Sequence, residues 1–96
     1  MASSKFDVVV WIRKTSSLPT LRDELLRLAG NEPDESTDYE GMVDLHWSFT
    51  NLADAVRVAA ALSGISSRSE IVLLRLSNYE NLDASVTYKD ERVTRH

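Results

Sequence analysis

Residues 43–49, Val-Asp-Leu-His-Trp-Ser-Phe, alternate apolar and polar side chains without a break. A period of two is the period of a β-strand with one buried face and one wetted face. Val43, Leu45, Trp47 and Phe49 then face a core, while Asp44, His46 and Ser48 face water. Straight afterwards, Asn51 followed by Asp54 reads as a helix N-terminus. The Asn side chain can accept from an orphan amide, and the Asp sits where the helix dipole favours negative charge. A strand with one apolar face therefore feeds a helix that must return across that face.

The rest of the chain has to complete that layer. A length of 96 residues predicts a single domain over 1–96, near the size where stability is marginal. Hydrophobic content of 43% and charged content of 27% are those of a folded globule. The net charge of −4 argues against a general nucleic-acid or anionic-membrane surface, either of which needs clustered positive charge. No cysteine is present, which excludes disulfides, thiolate catalysis and cysteine metal sites. Cysteine usage leaves the compartment open, so cytoplasm is the default expectation. The apolar run Val8 to Ile12 is too short for a secretory signal or a membrane span.

Residues 5–13 read as a first strand, with Phe6, Val8, Val10 and Ile12 on the core face and Asp7, Val9, Trp11 and Arg13 on the other. Pro19 and Thr20 open a helix over about 19–29, with Leu18, Leu21, Leu25 and Leu28 as its apolar stripe and Gly30 as its stop. The segment 31–41 holds five acids and no base, and predicts a flexible acidic loop. Its Asp34, Ser36 and Asp38 alternate as calcium-loop ligands can, but Leu45 falls where a bidentate Glu belongs and the sixth place lacks glycine. A second helix runs over about 52–63, with Leu52, Ala55, Val56, Ala59 and Leu62 pointing one way and Gly64 after its end. A third strand covers 70–78, with Val72, Leu74 and Leu76 on one face and Ile71, Leu73 and Arg75 on the other. Ala84, Val86 and Tyr88 alternate with Ser85, Thr87 and Lys89 as a fourth. The termini 1–4 and 91–96 read as frayed.

The element order is thus β-α-β-α-β-β. Helical crossovers join parallel strands with a right-handed turn, and the last pair forms an antiparallel hairpin. Both helices must lie on one face, since a third layer would bury Asp44, His46 and Ser48. The expectation is an α+β two-layer sandwich: a four-stranded mixed sheet with one face open. This order resembles the fold of the C-terminal domain of bacterial translation initiation factor three, shared by the Alba chromatin proteins. The resemblance is topological, covers most of the chain and includes no residue motif. A ferredoxin-like alternative needs one more strand before residue 43, which only residues 36–40, with one apolar residue, could supply.

Function belongs to the open face. Asp44, His46 and Ser48 are the residue types of a hydrolytic triad, but alternate strand residues stand about 6.5 to 7 Å apart and point in parallel, not in the bent arrangement of a nucleophile and its base. No nucleophile elbow is present. As metal ligands, Asp44 and His46 lack a third donor, the other histidine being the terminal His96. No catalytic residue and no cofactor or metal is expected, so the chain reads as a non-enzymatic protein. Val9, Trp11, Ile71 and Leu73 form instead a bare apolar patch with Arg13, His46 and Arg75 at its rim. Soluble monomers rarely leave such a patch contiguous without a use. The expectation is a protein-interaction or self-assembly module, a homodimer or one bound to a protein partner, using these seven residues. The alternative is RNA or DNA binding through Arg13, Arg75 and Lys89, with Trp11 for stacking. Cover over Trp11 by one of the chain ends would remove the patch.

Overall fold

In the computed structural model, which describes residues 5–92, the elements follow in the order β1 (Phe6–Arg13), α1 (Leu18–Ala29), β2 (Glu35–Tyr39), β3 (Met42–Phe49), α2 (Leu52–Ser63), β4 (Ile71–Asn78), a 3-10 turn (Leu82–Ala84) and β5 (Val86–Asp90). The strands form one sheet in the order β2-β3-β1-β4-β5, and every neighbouring pair is antiparallel. Two points of the sequence expectation are corrected by this. The sheet has five strands rather than four, and it is antiparallel rather than mixed, unlike the arrangement implied by the resemblance to the initiation-factor domain and Alba.

The physical reason is the short strand β2, Glu-Ser-Thr-Asp-Tyr, whose five residues are all exposed. It lies inside the acidic segment 31–41 that predicts a loop. An edge strand wetted on both faces has no apolar period, so hydropathy does not reveal it. It is held instead by its backbone ladder to β3, by the Asp34 amide donating to the His46 carbonyl at 2.7 Å and by Asp34 Oδ2 accepting from the Ser48 amide at 2.7 Å. Gly41, at a φ of 81°, takes the left-handed backbone that reverses the chain between Tyr39 and Met42. The crossovers still join parallel strands, but not neighbours: α1 links β1 to β2 across β3, and α2 links β3 to β4 across β1.

Both helices pack on one face of the sheet. Val8, Val10 and Ile12 of β1, Val43, Leu45 and Trp47 of β3, and Leu74 and Leu76 of β4 meet Leu21 and Leu25 of α1 and Ala55, Val58, Ala59 and Leu62 of α2 in one buried cluster. Trp47 is wholly buried, and its indole N–H donates to the Asn31 carbonyl at 3.0 Å, which satisfies its one polar atom. Asn51 caps α2 by accepting from the amides of Ala53 and Asp54. The stripe of α2 differs from the expected one. Ala55, Val58, Ala59 and Leu62 are buried, whereas Leu52 and Val56 are exposed. The buried set keeps the i, i+3, i+4, i+7 spacing, and two overlapping stripes of apolar residues let the helix roll onto the second. No helix among the described residues is long and apolar enough to cross a membrane.

Candidate functional site

Register decides which side chains share the face that the helices leave free, because directly opposed residues point the same way. One row runs Thr37–Asp44–Trp11–Leu73–Asp90, and the next runs Glu35–His46–Val9–Arg75–Thr87. A third joins Tyr39, Met42 and Arg13, and a fourth Ser48, Asp7 and Ser77. Two irregularities displace residues that strict alternation assigns to this face. Between Trp11 and Ile12 the pairing passes from Leu73 to Ile71, skipping Val72. Ile71 is thereby turned to the helix side, where it joins the core. Between Leu74 and Arg75 the pairing with β5 skips Tyr88, so Lys89 stands opposite Leu74, and its ammonium reaches the Arg68 carbonyl at 2.9 Å.

The expected interaction residues therefore separate. Trp11, Arg13, His46 and Arg75 lie on the free face with part or all of each side chain accessible. Val9 and Leu73 are on that face too, but at 4% and 1% exposure they form its floor rather than a bare patch. Ile71 is not part of it. The cover over the floor is aromatic and charged. Trp11 has Tyr39 beside it, with ring centroids 6.5 Å apart and tilted by 42°, and the Arg92 guanidinium lies 4.9 Å from its ring centroid. The Glu91 amide donates to the Val72 carbonyl at 2.8 Å, which carries the chain past Asp90 toward Trp11. Glu91 and Arg92, read from the sequence as part of a frayed end 91–96, are thus held against the sheet, while residues 1–4 and 93–96 fall outside the described residues.

A polar cluster fills the other end of the face. His46 Nδ1 is 3.5 Å from Asp7 Oδ2 across the β1–β3 pair, and His46 Nε2 is 2.9 Å from Asp44 Oδ1 along its own strand. The second approach is close without hydrogen-bond alignment: Asp44 Oδ1 and Asp7 Oδ1 are both buried and lack a hydrogen-bond partner among the described residues. Tyr79 donates its phenolic proton to Asp7 Oδ2 at 3.1 Å. Burial and the adjoining Asp7 charge push the Tyr79 phenol above its ordinary range. The histidine thus stands between two carboxylates, not between a carboxylate and a serine, and no hydrogen bond joins it to Ser48. Among the described residues no set of three or more His, Cys, Asp or Glu side chains is placed to hold a metal ion.

Charge on the face is mixed: Glu35 and the buried Asp44 lie on the β2–β3 half, and Arg75 and Arg92 lie with Asp90 on the β4–β5 half. Arg13 is 3.6 Å from Glu91, and Arg92 is 2.8 Å from Asp90. Hydrogen bonds from Arg92 hold the Asp90 carboxyl well below its usual range, at about 2. With Lys89 turned to the helix side, the basic set that a nucleic acid would meet is divided between two faces. Tyr39, Tyr79 and Arg92 are site members that sequence reasoning missed. Each lies in a segment read as loop, turn or frayed end, where no periodicity assigns a face. Compared with known protein families, with curated proteins and with solved structures, the chain matches none.

Proposed function

We propose that this chain is a non-catalytic self-association module that pairs with a second copy of itself through the free sheet face. The observation carrying this reading is the row Tyr39–Trp11–Arg92 laid across that face. Tyr, Trp and Arg are the residue types in which interfaces concentrate their binding energy. Area supports a whole-face contact. Three strands of eight residues and two of five, about 4.8 Å apart, give a face of about 540 Å². Two copies then bury about 1,100 Å², just above the about 1,000 Å² that a specific interface should clear. Charge supports a second copy as the occupant. A two-fold axis along β1 lays the half bearing the exposed Glu35 over the partner copy's half bearing Arg75, which brings opposite charges together. In the same reading the architecture is ferredoxin-like, with β5 added beyond β4.

Sedimentation equilibrium tests the reading on the wild-type chain and on Trp11→Glu, from micromolar to near-millimolar concentration. The wild type should have twice the monomer mass and the variant the monomer mass. A wild type that stays monomeric throughout overturns self-association, and a Trp11→Glu dimer as tight as the wild type moves the interface to another surface.

A further inference from the structure

Where β4 meets β5 and the 3-10 turn, the free face carries a groove of about 340 Å³ lined by Arg75, Ser77, Tyr79, Leu82, Ser85 and Thr87. Four of these side chains are hydroxyls and one is a cation, and no carboxylate is in the wall. Arg75 stands between Val9 and Thr87 in register, partly buried over the floor of the face. Its Nε–H donates to Ser77 Oγ at 3.3 Å, and it forms no ion pair among the described residues, unlike Arg13, Arg68 and Arg92. The carboxylate next to it in the register, Asp90, is already taken. Asp90 Oδ1 accepts from Arg92 Nε at 3.0 Å and Oδ2 accepts from Arg92 Nη2 at 2.8 Å, the paired fork that holds a carboxylate most firmly. Among the described residues, a guanidinium whose two NH₂ groups have no hydrogen-bond partner is thereby left facing hydroxyls.

Those hydroxyls are donors in waiting. Ser77 Oγ accepts from Arg75 and Ser85 Oγ accepts from the Asn78 amide at 2.9 Å, so the proton of each can be given to a ligand. Thr87 is exposed beside them. We propose that this groove binds a phosphate monoester, with the phosphoryl oxygens on the Arg75 guanidinium and the Ser77, Ser85 and Thr87 hydroxyls. A carboxylate offers two acceptor oxygens and a phosphoryl group three, which suits the larger number of donors gathered here. The groove is larger than a phosphoryl group alone would fill. The Tyr79 ring and the Leu82 side chain, both largely exposed, are the surfaces against which the ester's body packs. Asp7 stands behind the Tyr79 phenol; its charge lowers the affinity without blocking the oxyanion, since it is not part of the groove wall.

The site goes beyond self-association but shares Arg75 with the face proposed to pair, so a second copy and a phosphate compete for it. It is therefore tested on the monomeric Trp11→Glu variant as well as on the wild type, by amide chemical shifts at constant ionic strength rather than by mass. ¹⁵N–¹H spectra of the full chain are titrated with inorganic phosphate, with O-phosphoserine and, as control, with sodium chloride. Saturable shifts at Arg75, Ser77, Ser85 and Thr87 are expected with phosphoserine, and weaker ones with inorganic phosphate. Equal affinity for the two identifies the free ion as sufficient, with the same site. Arg75→Gln should weaken binding at least about tenfold, the loss expected for a charge-assisted hydrogen bond. Thr87→Val, at an exposed edge position, should weaken it severalfold and carries the test should Arg75→Gln fail to fold. No saturable shift with either phosphate, the same shifts with chloride, or unchanged affinity in the folded variants would overturn the proposal.

Discussion

The chain has two tryptophans on neighbouring strands, and the structure gives them opposite roles. Trp47 stands opposite Val8 with its side chain wholly buried under the helices, while Trp11 stands opposite Asp44 on the free face, partly accessible. Truncating each to alanine measures which face is which. An indole buries about 150–250 Å², which at about 25 cal/mol per Å² is about 4–6 kcal/mol. Less what alanine retains, this agrees with the about 3–5 kcal/mol usual for a buried Trp→Ala change. Trp47→Ala also leaves the Asn31 carbonyl without its indole donor. At about 0.05–0.15 kcal/mol per residue, a domain of this size has a total stability of about 5–14 kcal/mol, so Trp47→Ala removes about a fifth or more. Trp11→Ala loses a cation–π contact of about 0.5–1 kcal/mol and a tilted aromatic pair of about 0.5–1.5 kcal/mol, or about 1–2.5 kcal/mol together. Urea denaturation followed by far-ultraviolet circular dichroism reads both without relying on indole fluorescence. Equal destabilisation by the two changes, or a Trp47→Ala midpoint equal to the wild type, would refute the assignment of faces.

Asn51→Ala should cost about 1 kcal/mol by freeing the Ala53 and Asp54 amides, while Asn51→Asp should stay close to wild type; equal urea midpoints for all three chains would show that the cap contributes nothing. The Asp90 carboxyl, with a folded value of about 2 against 3.8 for the free side chain, contributes stability that is present above 3.8 and is lost as pH falls toward 2. In a carboxyl ¹³C titration, Arg92→Gln should move the Asp90 midpoint up toward 3.8, and a midpoint unmoved by that change would mean that Arg92 is not what lowers it.

What could be read from the residues was what repeats along the chain. The alternation in residues 43–49 is strict, and β3 places Val43, Leu45 and Trp47 in the core as that alternation requires. Asn51 announces its helix because a cap is a local bond between a side chain and amides two and three residues on. The site was legible only where strands stayed regular. Val9, Trp11, His46, Leu73 and Arg75 fall on the free face as their parity predicts, whereas Ile71 and Lys89 do not. One inserted residue in a strand reverses the side of everything beyond it, and nothing in Ile-Val-Leu-Leu marks Val72 as that residue.

Local period was enough to assign two amphipathic helices, two of the four strands without a register slip (β1 and β3), and the apolar layer between helices and sheet, because burial of apolar surface follows local period. Pairing between distant strands, not local period, makes Glu35–Tyr39 a strand, sets β1 between β3 and β4, and brings Tyr39, Tyr79 and Arg92 to the free face. A polar edge strand is held by backbone bonds that any residue except proline can make, so its side chains carry no record of it. Asp90 pairs with Arg92 two residues on rather than with Arg75, which leaves an arginine beside hydroxyls with no acid among the described residues of the groove wall.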